Sequence, residues 1–483
     1  MKKNTWPRFV EACAFLLVLA VVMFFAGRLV ERKESREIFS PFLKDPEAYD
    51  VLFFGDSRFM NGMMPLEIWD DYGIASYNLA CYGNSIPVSY WAMINALEYA
   101  SPKMIVLAVD GVGDEMKVSG STGDLHTALD FLPLTKTKIR AIEDLMYDPE
   151  YPEAVDMDGN RFRDIKWEYY VTLGKYHSRF SELTWDDVIV RPSIKKGGEL
   201  LVGITSYWDY DIIEEDMFAE ELGNGFAYLR RILDECRERE IEVLLVTMPG
   251  PDSVRAQMSA NTAGSIAEEY GVRYVDMARL DSIVDYAVDC YDEQPHLNVS
   301  GTLKVTDFLG SYIRAHYDIP DRRSDPAYEA WNAQHDAYVD EKLALVQKQT
   351  ELKNILMMLH DPDFDMRIAL AADSEVFYDD VAILLMHNIA REHVLSGSEY
   401  DMWSNSMYPL EGFDAALVEG LPYYLCRENG KIAEYIGAEA ELMARGAFGD
   451  DAGETIVEVI DRRTGEIALR MEYGSDGAVQ EEI

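Results

Sequence analysis

Cysteine is scarce in this chain of 483 residues. There are five, an odd number, and one of them, Cys13, lies within an apolar N-terminal stretch. No two cysteines have the CxxC spacing of a metal site, so the sequence offers neither a disulfide framework nor a cysteine-based metal centre. Because a domain of this size does not need disulfides for stability, a location outside the cytoplasm remains compatible with the sequence.

Basic residues are also few. The 44 lysines and arginines are outnumbered by 87 aspartates and glutamates, which gives a formal net charge of -43. Such a charge repels nucleic acids and anionic lipids, so no polyanion-binding function is expected. Solubility is the simplest interpretation of the charge, and recognition of cationic or neutral glycans is the alternative. With 48% hydrophobic residues and no internal repeat, the chain is expected to be globular, and its length suggests two domains.

One long apolar run lies near the N-terminus. Residues 9–27 read FVEACAFLLVLAVVMFFAG, with a single charge near the start, and a helix of this length crosses a hydrocarbon core. We therefore predict a short tail at 1–8 and a transmembrane anchor at 9–30. The basic tail would also suit a signal peptide, but Phe24 occupies the position three residues before a cut after Ala26, where a small residue is needed. A retained anchor is thus favoured.

The orientation of this anchor does not follow from basic residues alone, because Arg28, Arg32, Lys33 and Arg36 follow the span and balance those that precede it. Long domains cross membranes largely regardless of charge. We expect the tail inside and the chain after about Arg32 outside. We therefore predict a single-pass protein of the cell membrane with an extracytoplasmic domain.

From residue 45 to about 320, apolar runs alternate with helical patterns. The predicted strands are VLFFG (51–55), IASYNLA (74–80), MIVLAVDG (104–111), IEVLLVTMP (241–249) and VRYVDM (272–277), and the predicted helices span 91–100, 214–240 and 256–270 and follow Ser300. This order predicts an α/β domain whose parallel sheet is covered on both faces. An aromatic-rich stretch at about 114–205 interrupts it as an insertion, within which DMDGN (156–160) suggests a hairpin turn.

The sequence DIPDRRSDP at 318–326 marks a boundary, because two prolines and clustered charge end the α/β pattern. A helical connector is predicted at 325–360. Residues 361–483 read as a small C-terminal α+β accessory domain, since TIVEVIDRRTGEIALRMEY (455–473) contains two β-rich runs around a turn. Residues 361–365, DPDFD, are not expected to bind calcium, because Met366 replaces the glycine of such a loop.

No metal ion or cofactor is predicted elsewhere. DMDGN lacks the downstream bidentate glutamate of an EF-hand, and His387 and His393 are six residues apart, which does not place them on one helical face.

Two short motifs carry the side chains of a candidate active site. Gly55-Asp56-Ser57 directly follows the predicted VLFF strand, so Ser57 is expected at the carboxyl end of a central strand. On its own the tripeptide fits a serine that caps a helix equally well. The second motif, DEQPHLN at 292–298, places acidic residues just before His296. An acid that orients an imidazole, which in turn deprotonates a serine, is the arrangement of nucleophilic catalysis.

In these motifs the chain resembles the SGNH (GDSL-like) hydrolase family, in which GDS opens the domain and a D-x-x-H loop closes it. The resemblance spans roughly 49–317 and is strongest in FFGDSRFMNG, SYNLACYGNS and PHLNVSGTLKVTDFLGSYI. More narrowly, the chain is similar to membrane-anchored bacterial envelope members, which include DltD-like and alginate-acetylation proteins. The resemblance implies an SGNH-type three-layer fold, Ser57 as nucleophile, His296 as general base, and backbone amides of Ser57 and Gly83 in an oxyanion hole.

Two departures from the family pattern affect the predicted site. The third family block offers Gly-x-Asn-Asp, whose Asn donates to the oxyanion, whereas the chain has Asp110 and no Asn at that strand end. An ionised Asp would repel an oxyanion, so Asn84 or another donor is needed in its place. The family acid lies three residues before the His, which points to Glu293. Asp292 lies four before it, and its shorter, stiffer side chain favours it as the partner of His296.

The expected function is that of a membrane-anchored serine esterase or O-acyltransferase. Its substrate would be an acylated cell-envelope polysaccharide, and proteins of an envelope acylation machinery are possible partners. The alternative is a glycan-binding or envelope-assembly protein that keeps the same shell without catalysis, which the missing Asn and the additional C-terminal domain suggest. Retention of both Ser57 and His296 favours the enzyme.

Overall fold

The structure is a computed structural model that describes residues 6–31, 35–118, 120–156, 159–189, 191–280, 283–395, 411–449, 455–474 and 477–480. Its α-helices are α1 (Trp6–Val30), α2 (Ser57–Gly62), α3 (Pro65–Tyr72), α4 (Ile86–Ala96), α5 (Thr122–Asp130), α6 (Lys136–Leu145), α7 (Phe162–Ile165), α8 (Thr172–Tyr176), α9 (Trp185–Val188), α10 (Asn224–Glu238), α11 (Val254–Tyr270), α12 (Val299–His316), α13 (Glu329–Val346), α14 (Leu352–Met358), α15 (Asp380–Leu395), α16 (Glu411–Glu419) and α17 (Ala438–Phe448). Its strands are β1 (Val51–Phe54), β2 (Ser76–Asn78), β3 (Met104–Ala108), β4 (Glu242–Thr247), β5 (Arg273–Asp276), β6 (Phe364–Leu370), β7 (Tyr423–Glu428), β8 (Lys431–Ile436), β9 (Thr455–Asp461), β10 (Ile467–Gly474) and β11 (Gly477–Gln480).

The first five strands form one sheet in the order β2-β1-β3-β4-β5, and every neighbouring pair is parallel. Each of them falls within a run that the sequence predicted as a strand, so the prediction of an α/β domain with a parallel sheet is confirmed. After β1, the next strand, β2, pairs with one edge of β1, and the following strand, β3, pairs with its other edge. The carboxyl ends of β1 and β3 therefore flank a topological switch point, where doubly wound sheets bind their ligands.

Both faces of this sheet are buried. In β1, Val51 and Phe53 point into one apolar cluster, which includes residues of α2 and α12, whereas Leu52 and Phe54 point into another, which includes residues of α4 and α10. This alternation follows from the two-residue period of a strand. The sheet is thus the middle layer between two layers of helices.

The insertion contributes α5 to α9 and returns to the sheet through an extended segment. Gly197 has a φ of +90°, and a Cβ there would lie 1.8 Å from the carbonyl oxygen of Asn78 at the end of β2. Only glycine permits this close approach, which fixes the insertion against the sheet. The predicted hairpin at 156–160 is reduced to a bridge between Val155 and Arg161, and two residues of its turn lie outside the described residues.

The helix predicted at 214–240 begins only at Asn224, so the prediction was wrong for its first ten residues. Gly223 has a φ of +90°, and a Cβ there would lie 2.6 Å from Cα of Glu115. The preceding segment hydrogen bonds along α11 instead, where Ala219 N–H donates to the hydroxyl of Thr262. Tertiary contacts therefore override the helical propensity of this charged stretch.

Residues after 360 build a second sheet in the order β11-β10-β9-β6-β7-β8, and each adjacent pair in it is antiparallel. The two β-rich runs predicted at 455–473 are confirmed as β9 and β10. The predicted helical connector contains two helices, α13 and α14, separated by a break. Buried residues of this region, including Phe364 and Leu385, belong to the same apolar cluster as Leu52 of the first sheet, so the two sheets share a continuous core.

Helix α1 is long and apolar enough to cross a membrane. Over Arg8–Val30 its mean hydropathy reaches 2.6, and none of its most apolar window is buried within the structure. By length and composition this N-terminal helix is therefore compatible with a membrane span or with a signal sequence.

Candidate active site

Ser57 lies where β1 ends and α2 begins. The turn is tight, because a Cβ on Gly55 would lie 2.8 Å from Cβ of Ala108 and 2.9 Å from Cβ of Phe59. Asp56 caps α2, and its carboxylate accepts a hydrogen bond of 3.0 Å from the Arg58 N–H. Each residue of the GDS motif therefore has a physical role: glycine admits the turn, aspartate caps the helix, and serine is presented at the switch point.

His296 is delivered to Ser57 by the loop before α12. The Nε2 atom of His296 lies 2.8 Å from Oγ of Ser57, across 239 residues of sequence. The loop is held by Asn298, which caps α12 and whose Nδ2 donates to the carbonyl oxygens of Val288 and Gly203 at 2.7 Å and 3.0 Å. A buried cap that also ties two neighbouring segments keeps the imidazole in place.

The structure brings Asp292, and not Glu293, to His296. The Asp292 carboxylate oxygens lie 2.8 Å and 3.0 Å from Nδ1 of His296, and Oδ1 also accepts the backbone N–H groups of Gln294 and His296. Burial would raise the pKa of Asp292, but the hydrogen bond and charge of His296 outweigh it and lower that pKa. Glu293 is exposed and makes no hydrogen bond to another described residue.

Two side-chain hydroxyl groups bind the backbone at and next to Asp292. The hydroxyl of Tyr207 donates to the Asp292 carbonyl oxygen at 2.9 Å, and the hydroxyl of Thr205 donates to the Tyr291 carbonyl oxygen at 2.8 Å. Both residues belong to the extended segment that follows the insertion. The chain at and after the end of the insertion thus supports the loop that carries His296, a role that the sequence did not reveal.

Serine, histidine and aspartate in this order can perform acyl transfer. With Nδ1–H bonded to the Asp292 carboxylate, the lone pair of Nε2 faces the Ser57 hydroxyl and can accept its proton. The Asp292 carboxylate then stabilises the imidazolium that forms. The arrangement requires no metal ion.

Of the predicted oxyanion-hole residues, Ser57 lies at the start of α2, whereas Gly83 and Asn84 lie on the loop that follows β2. Leu79 N–H donates to the Phe53 carbonyl and Cys81 N–H donates to the Gly55 carbonyl, so this loop continues alongside the turn that carries Ser57. Gly83 has a φ of +60°, and a Cβ there would lie 3.0 Å from the Asp124 carboxylate. The amide of Asn84 is buried, and its Oδ1 has no hydrogen-bond partner among the described residues.

Asp110 contacts the residue that follows β4 and the side chain of Arg58. Its carboxylate accepts the Met248 N–H at 3.2 Å and lies 3.1 Å from Nη1 of Arg58. The residue that stands where the resembled family has Asn is therefore paired with the arginine next to Ser57.

Arg58 is the functional candidate that sequence reasoning missed. Its guanidinium lies 2.8 Å from the Asp252 carboxylate and donates to the carbonyl oxygens of Met248 and Pro249. Burial would lower the pKa of Arg58, but Asp110 and Asp252 outweigh it and raise that pKa. A basic residue beside the nucleophile, together with an acid where the family has Asn, is the sequence signal that could have indicated this pair.

The electrostatics of Asp110 differ from those of Asp292. Burial raises the pKa of Asp110 to about 8, and Arg58 only partly opposes this, because Arg58 shares its charge with Asp252 and Asp56. Burial also raises the pKa of Asp56. Several carboxyls compete for one cation here, so protonation of Asp110 near neutral pH relieves their repulsion.

A cavity of about 550 Å³ opens beside this cluster, at the carboxyl ends of β3, β4 and β5. Arg58 and Asp110 form part of its wall, and the lining also includes Tyr151, Gln257 and Arg279. Its lining combines these polar and charged groups with apolar residues such as Val112, Met116 and Ile212, and it includes Arg58 but neither Ser57 nor His296.

One further cluster within the described residues has metal-ligand chemistry, consisting of Glu67, His335 and Asp363. The Nζ atom of Lys342 lies 2.7 Å from the Glu67 carboxylate, 2.6 Å from Asp363 and 2.8 Å from Asp361. This ammonium group already occupies a position between the carboxylates that would bind a cation. The cluster joins α3, α13 and the start of β6, and a structural role is sufficient to account for it.

No protein-family model matches the chain, and no curated protein matches it.

Proposed function

We propose that the chain is a serine esterase or O-acyltransferase of the SGNH type that acts on acyl groups of a cell-envelope polysaccharide. The observation that carries this proposal is the hydrogen-bonded series Ser57–His296–Asp292, with Nε2 of His296 2.8 Å from Oγ of Ser57. The three groups come from the two ends of one α/β domain. A serine that only caps a helix does not require a histidine held by an acid at this distance.

In the proposed reaction, Oγ of Ser57 attacks the carbonyl carbon of an ester while its proton passes to Nε2 of His296. The tetrahedral oxyanion is stabilised by N–H groups of Ser57 and Gly83, with the Asn84 amide as a further candidate donor. Collapse of this intermediate breaks the ester C–O bond, and the alkoxide takes the proton from His296. Water or an acceptor hydroxyl then releases the acyl group from Ser57 by the same steps in reverse.

The glycan substrate is supported by the cavity and the charge of the chain. The cavity of about 550 Å³ next to Arg58 has charged and amide side chains in its wall, among them Asp252, Gln257 and Arg279, which can bind sugar hydroxyls, while its apolar residues can contact the sugar ring. The net charge of -43 argues against strongly anionic polymers. Location at the envelope is supported by α1, whose length and hydropathy match a membrane span. The proposal includes an extracytoplasmic position of the domain, where an envelope glycan would be accessible.

A non-catalytic glycan-binding or assembly protein is the second candidate. The observation in its favour is Asp110, which is bound to Arg58 and Met248 where the family has an oxyanion donor. Loss of one such donor costs about 3–4 kcal/mol of transition-state stabilisation. This slows hydrolysis and leaves binding unaffected.

A fluorophosphonate probe discriminates between the two candidates. The full chain in detergent is treated with the probe, together with Ser57→Ala, His296→Ala and the control Ser181→Ala, whose hydroxyl bonds only locally to Ser178. The enzyme proposal expects labelling of the wild type and the control, with labelling lost in the two site variants. Equal labelling of all four, or none in folded protein, contradicts the proposal.

The substrate class requires a second measurement. Ester-linked acyl groups on purified envelope glycans are compared between cells that express the wild type and cells that express Ser57→Ala. More acyl groups in the variant indicate hydrolysis, and fewer indicate transfer to the glycan. An unchanged acyl content contradicts the proposed substrate.

A further inference from the structure

The C-terminal end of α1 packs directly against the folded domain. A Cβ on Gly27 would lie 3.4 Å from Oγ1 of Thr172 and 3.7 Å from the backbone nitrogen of Leu173, so α1 and α8 pack closely. The Thr172 hydroxyl also donates to the Glu31 carboxylate at 2.8 Å. The last turn of α1 is therefore part of the domain surface.

Arg179 also binds the C-terminal end of α1. Its Nη1 donates to the carbonyl oxygens of Val30 and Glu31 at 2.7 Å, and these carbonyls belong to the unsatisfied end of α1. Its Nη2 lies 3.1 Å from the carboxylate of Asp187 in α9. One side chain thus binds α9 to the end of the apolar helix.

The segment that surrounds this helix end exposes large apolar side chains. Trp185 is 80% exposed and Phe180 is 70% exposed, although large aromatic side chains usually pack against other apolar groups. The exposed apolar residues of this segment, which we call the collar, are Val171, Phe180, Trp185, Val188 and Ile189.

The level of the collar relative to a bilayer follows from the length of α1. About 20 residues of α-helix rise about 30 Å, the thickness of a hydrocarbon core. Counted from Arg8, this distance ends near Arg28, whose guanidinium pairs with Glu31 at 2.7 Å. Val30 and Glu31 then lie among the lipid head groups, and Arg179 holds the collar at the same level.

We propose that the collar inserts into the interfacial layer of the membrane that α1 crosses, so that the α/β domain contacts lipid at a second point beside its helix. Tryptophan and phenylalanine are suited to this layer, where an apolar ring meets the polar head groups. The inference rests on α1 spanning a membrane, which is part of the proposed function. Two points of attachment fix the tilt of the domain, and hence the height of Ser57 above the membrane.

Zwitterionic lipid is the partner to which this proposal commits. The chain carries a net charge of -43, which repels an anionic surface. Asp187, the buried acid of α9, is paired with Arg179 and adds little to that repulsion. Apolar contact must therefore supply the attraction, and it does not require charged lipid.

The test uses the full chain in phosphatidylcholine vesicles, with a nitroxide spin label on one introduced cysteine at a time. Cys13 and Cys426 are replaced by alanine, because the remaining three cysteines are buried. Labels are placed by Trp185→Cys and Phe180→Cys. Two matched positions serve as references: Leu17→Cys in α1, where the native side chain is 67% exposed, and Leu442→Cys in α17, where it is 70% exposed.

Accessibility to oxygen, which concentrates in lipid, is compared with accessibility to a water-soluble nickel chelate. The proposal expects both collar labels at the boundary between head groups and acyl chains, about 5–10 Å deep. Leu17→Cys should report the bilayer interior and Leu442→Cys should report water. Because apolar contact and not charge supplies the attraction, the proposal expects the same depths in vesicles that contain anionic lipid.

Two negative results remain distinguishable. If the collar labels report water while Leu17→Cys reports lipid, α1 spans the membrane and the collar proposal is wrong. If Leu17→Cys also reports water, the membrane anchor itself is wrong and the collar proposal fails with it. Labelling of Ser57 by the fluorophosphonate probe is independent of both results.

Discussion

Replacement of Asp292 by asparagine tests the catalytic geometry most directly. In the wild type, Oδ1 of Asp292 accepts the backbone N–H groups of Gln294 and His296, while Oδ2 lies 2.8 Å from Nδ1 of His296. The amide oxygen of an asparagine would keep the two backbone donors. Its NH₂ group would then face Nδ1 and force that atom to act as an acceptor. The imidazole proton would move to Nε2, where it points at Ser57 and blocks proton transfer.

The magnitude follows from this change of tautomer. Loss of the acid in a serine triad lowers kcat by about 10⁴, which corresponds to about 5 kcal/mol at 1.36 kcal/mol per tenfold change. The Asp292 side chain is 36% exposed, so water can partly substitute for its charge. We therefore expect a loss of about 10³ to 10⁴ in kcat for Asp292→Asn, with little change in KM.

Hydrolysis of a small activated acetate ester provides the assay, with thermal unfolding as the check that each variant is folded. Glu293→Gln is the matched control, because it removes the neighbouring carboxylate, which is exposed and bonded to no described residue. The control should retain at least about a third of the wild-type activity, since its charge is screened by solvent. An Asp292→Asn variant within tenfold of the wild type, or a collapse in Glu293→Gln, would refute the assignment of Asp292.

Lys342→Met should destabilise the protein by about 3–5 kcal/mol, because the buried carboxylates of Glu67 and Asp361 and the partly buried carboxylate of Asp363 lose their cation. Urea unfolding measures this, and the exposed Lys348→Met should be within about 0.5 kcal/mol of the wild type. Gly197→Ala should lower the unfolding midpoint far more than Gly420→Ala, since both glycines have positive φ but only Gly197 is blocked by a carbonyl oxygen. Equal shifts would contradict that reasoning. For Asp110, esterase activity should decline as the pH rises through about 8, and Asp110→Asn should remove this decline.

The first sheet could be predicted because its central strands β1, β3 and β4 are apolar runs, as in VLFF at 51–54, and such runs need no knowledge of distant partners. The second sheet could not be predicted in the same way. Its central pair, β6 and β9, joins residues about ninety positions apart, and the sequence contains no local signal for that pairing. The start of α10 was mispredicted for a related reason, because Gly223 meets Glu115 only in the folded chain.

Ser57 and His296 could be predicted because each lies in a short motif at the end of a recognisable element. The choice between Asp292 and Glu293 could not be made by spacing, since it depends on how the loop turns at Pro295 and on which carboxylate meets the backbone N–H groups. Lys342 was also missed. A lysine on a helix usually faces solvent, and only the carboxylates gathered from α3 and the start of β6 make its burial favourable.

The pH dependence expected for Asp110 follows from its contact with Arg58, the arginine next to Ser57. Below pH 8 the protonated carboxyl leaves the positive charge of Arg58, the residue next to Ser57, largely unopposed. As the pH rises through about 8 the carboxyl ionises and offsets that charge, which raises the barrier to forming an oxyanion at Ser57. Asparagine has the shape of the protonated acid, and its oxygen can still accept the Met248 N–H. Activity of Asp110→Asn should therefore match the wild type at pH 6.5 and exceed it at pH 9, and an unchanged alkaline decline would place the responsible ionisation in another group.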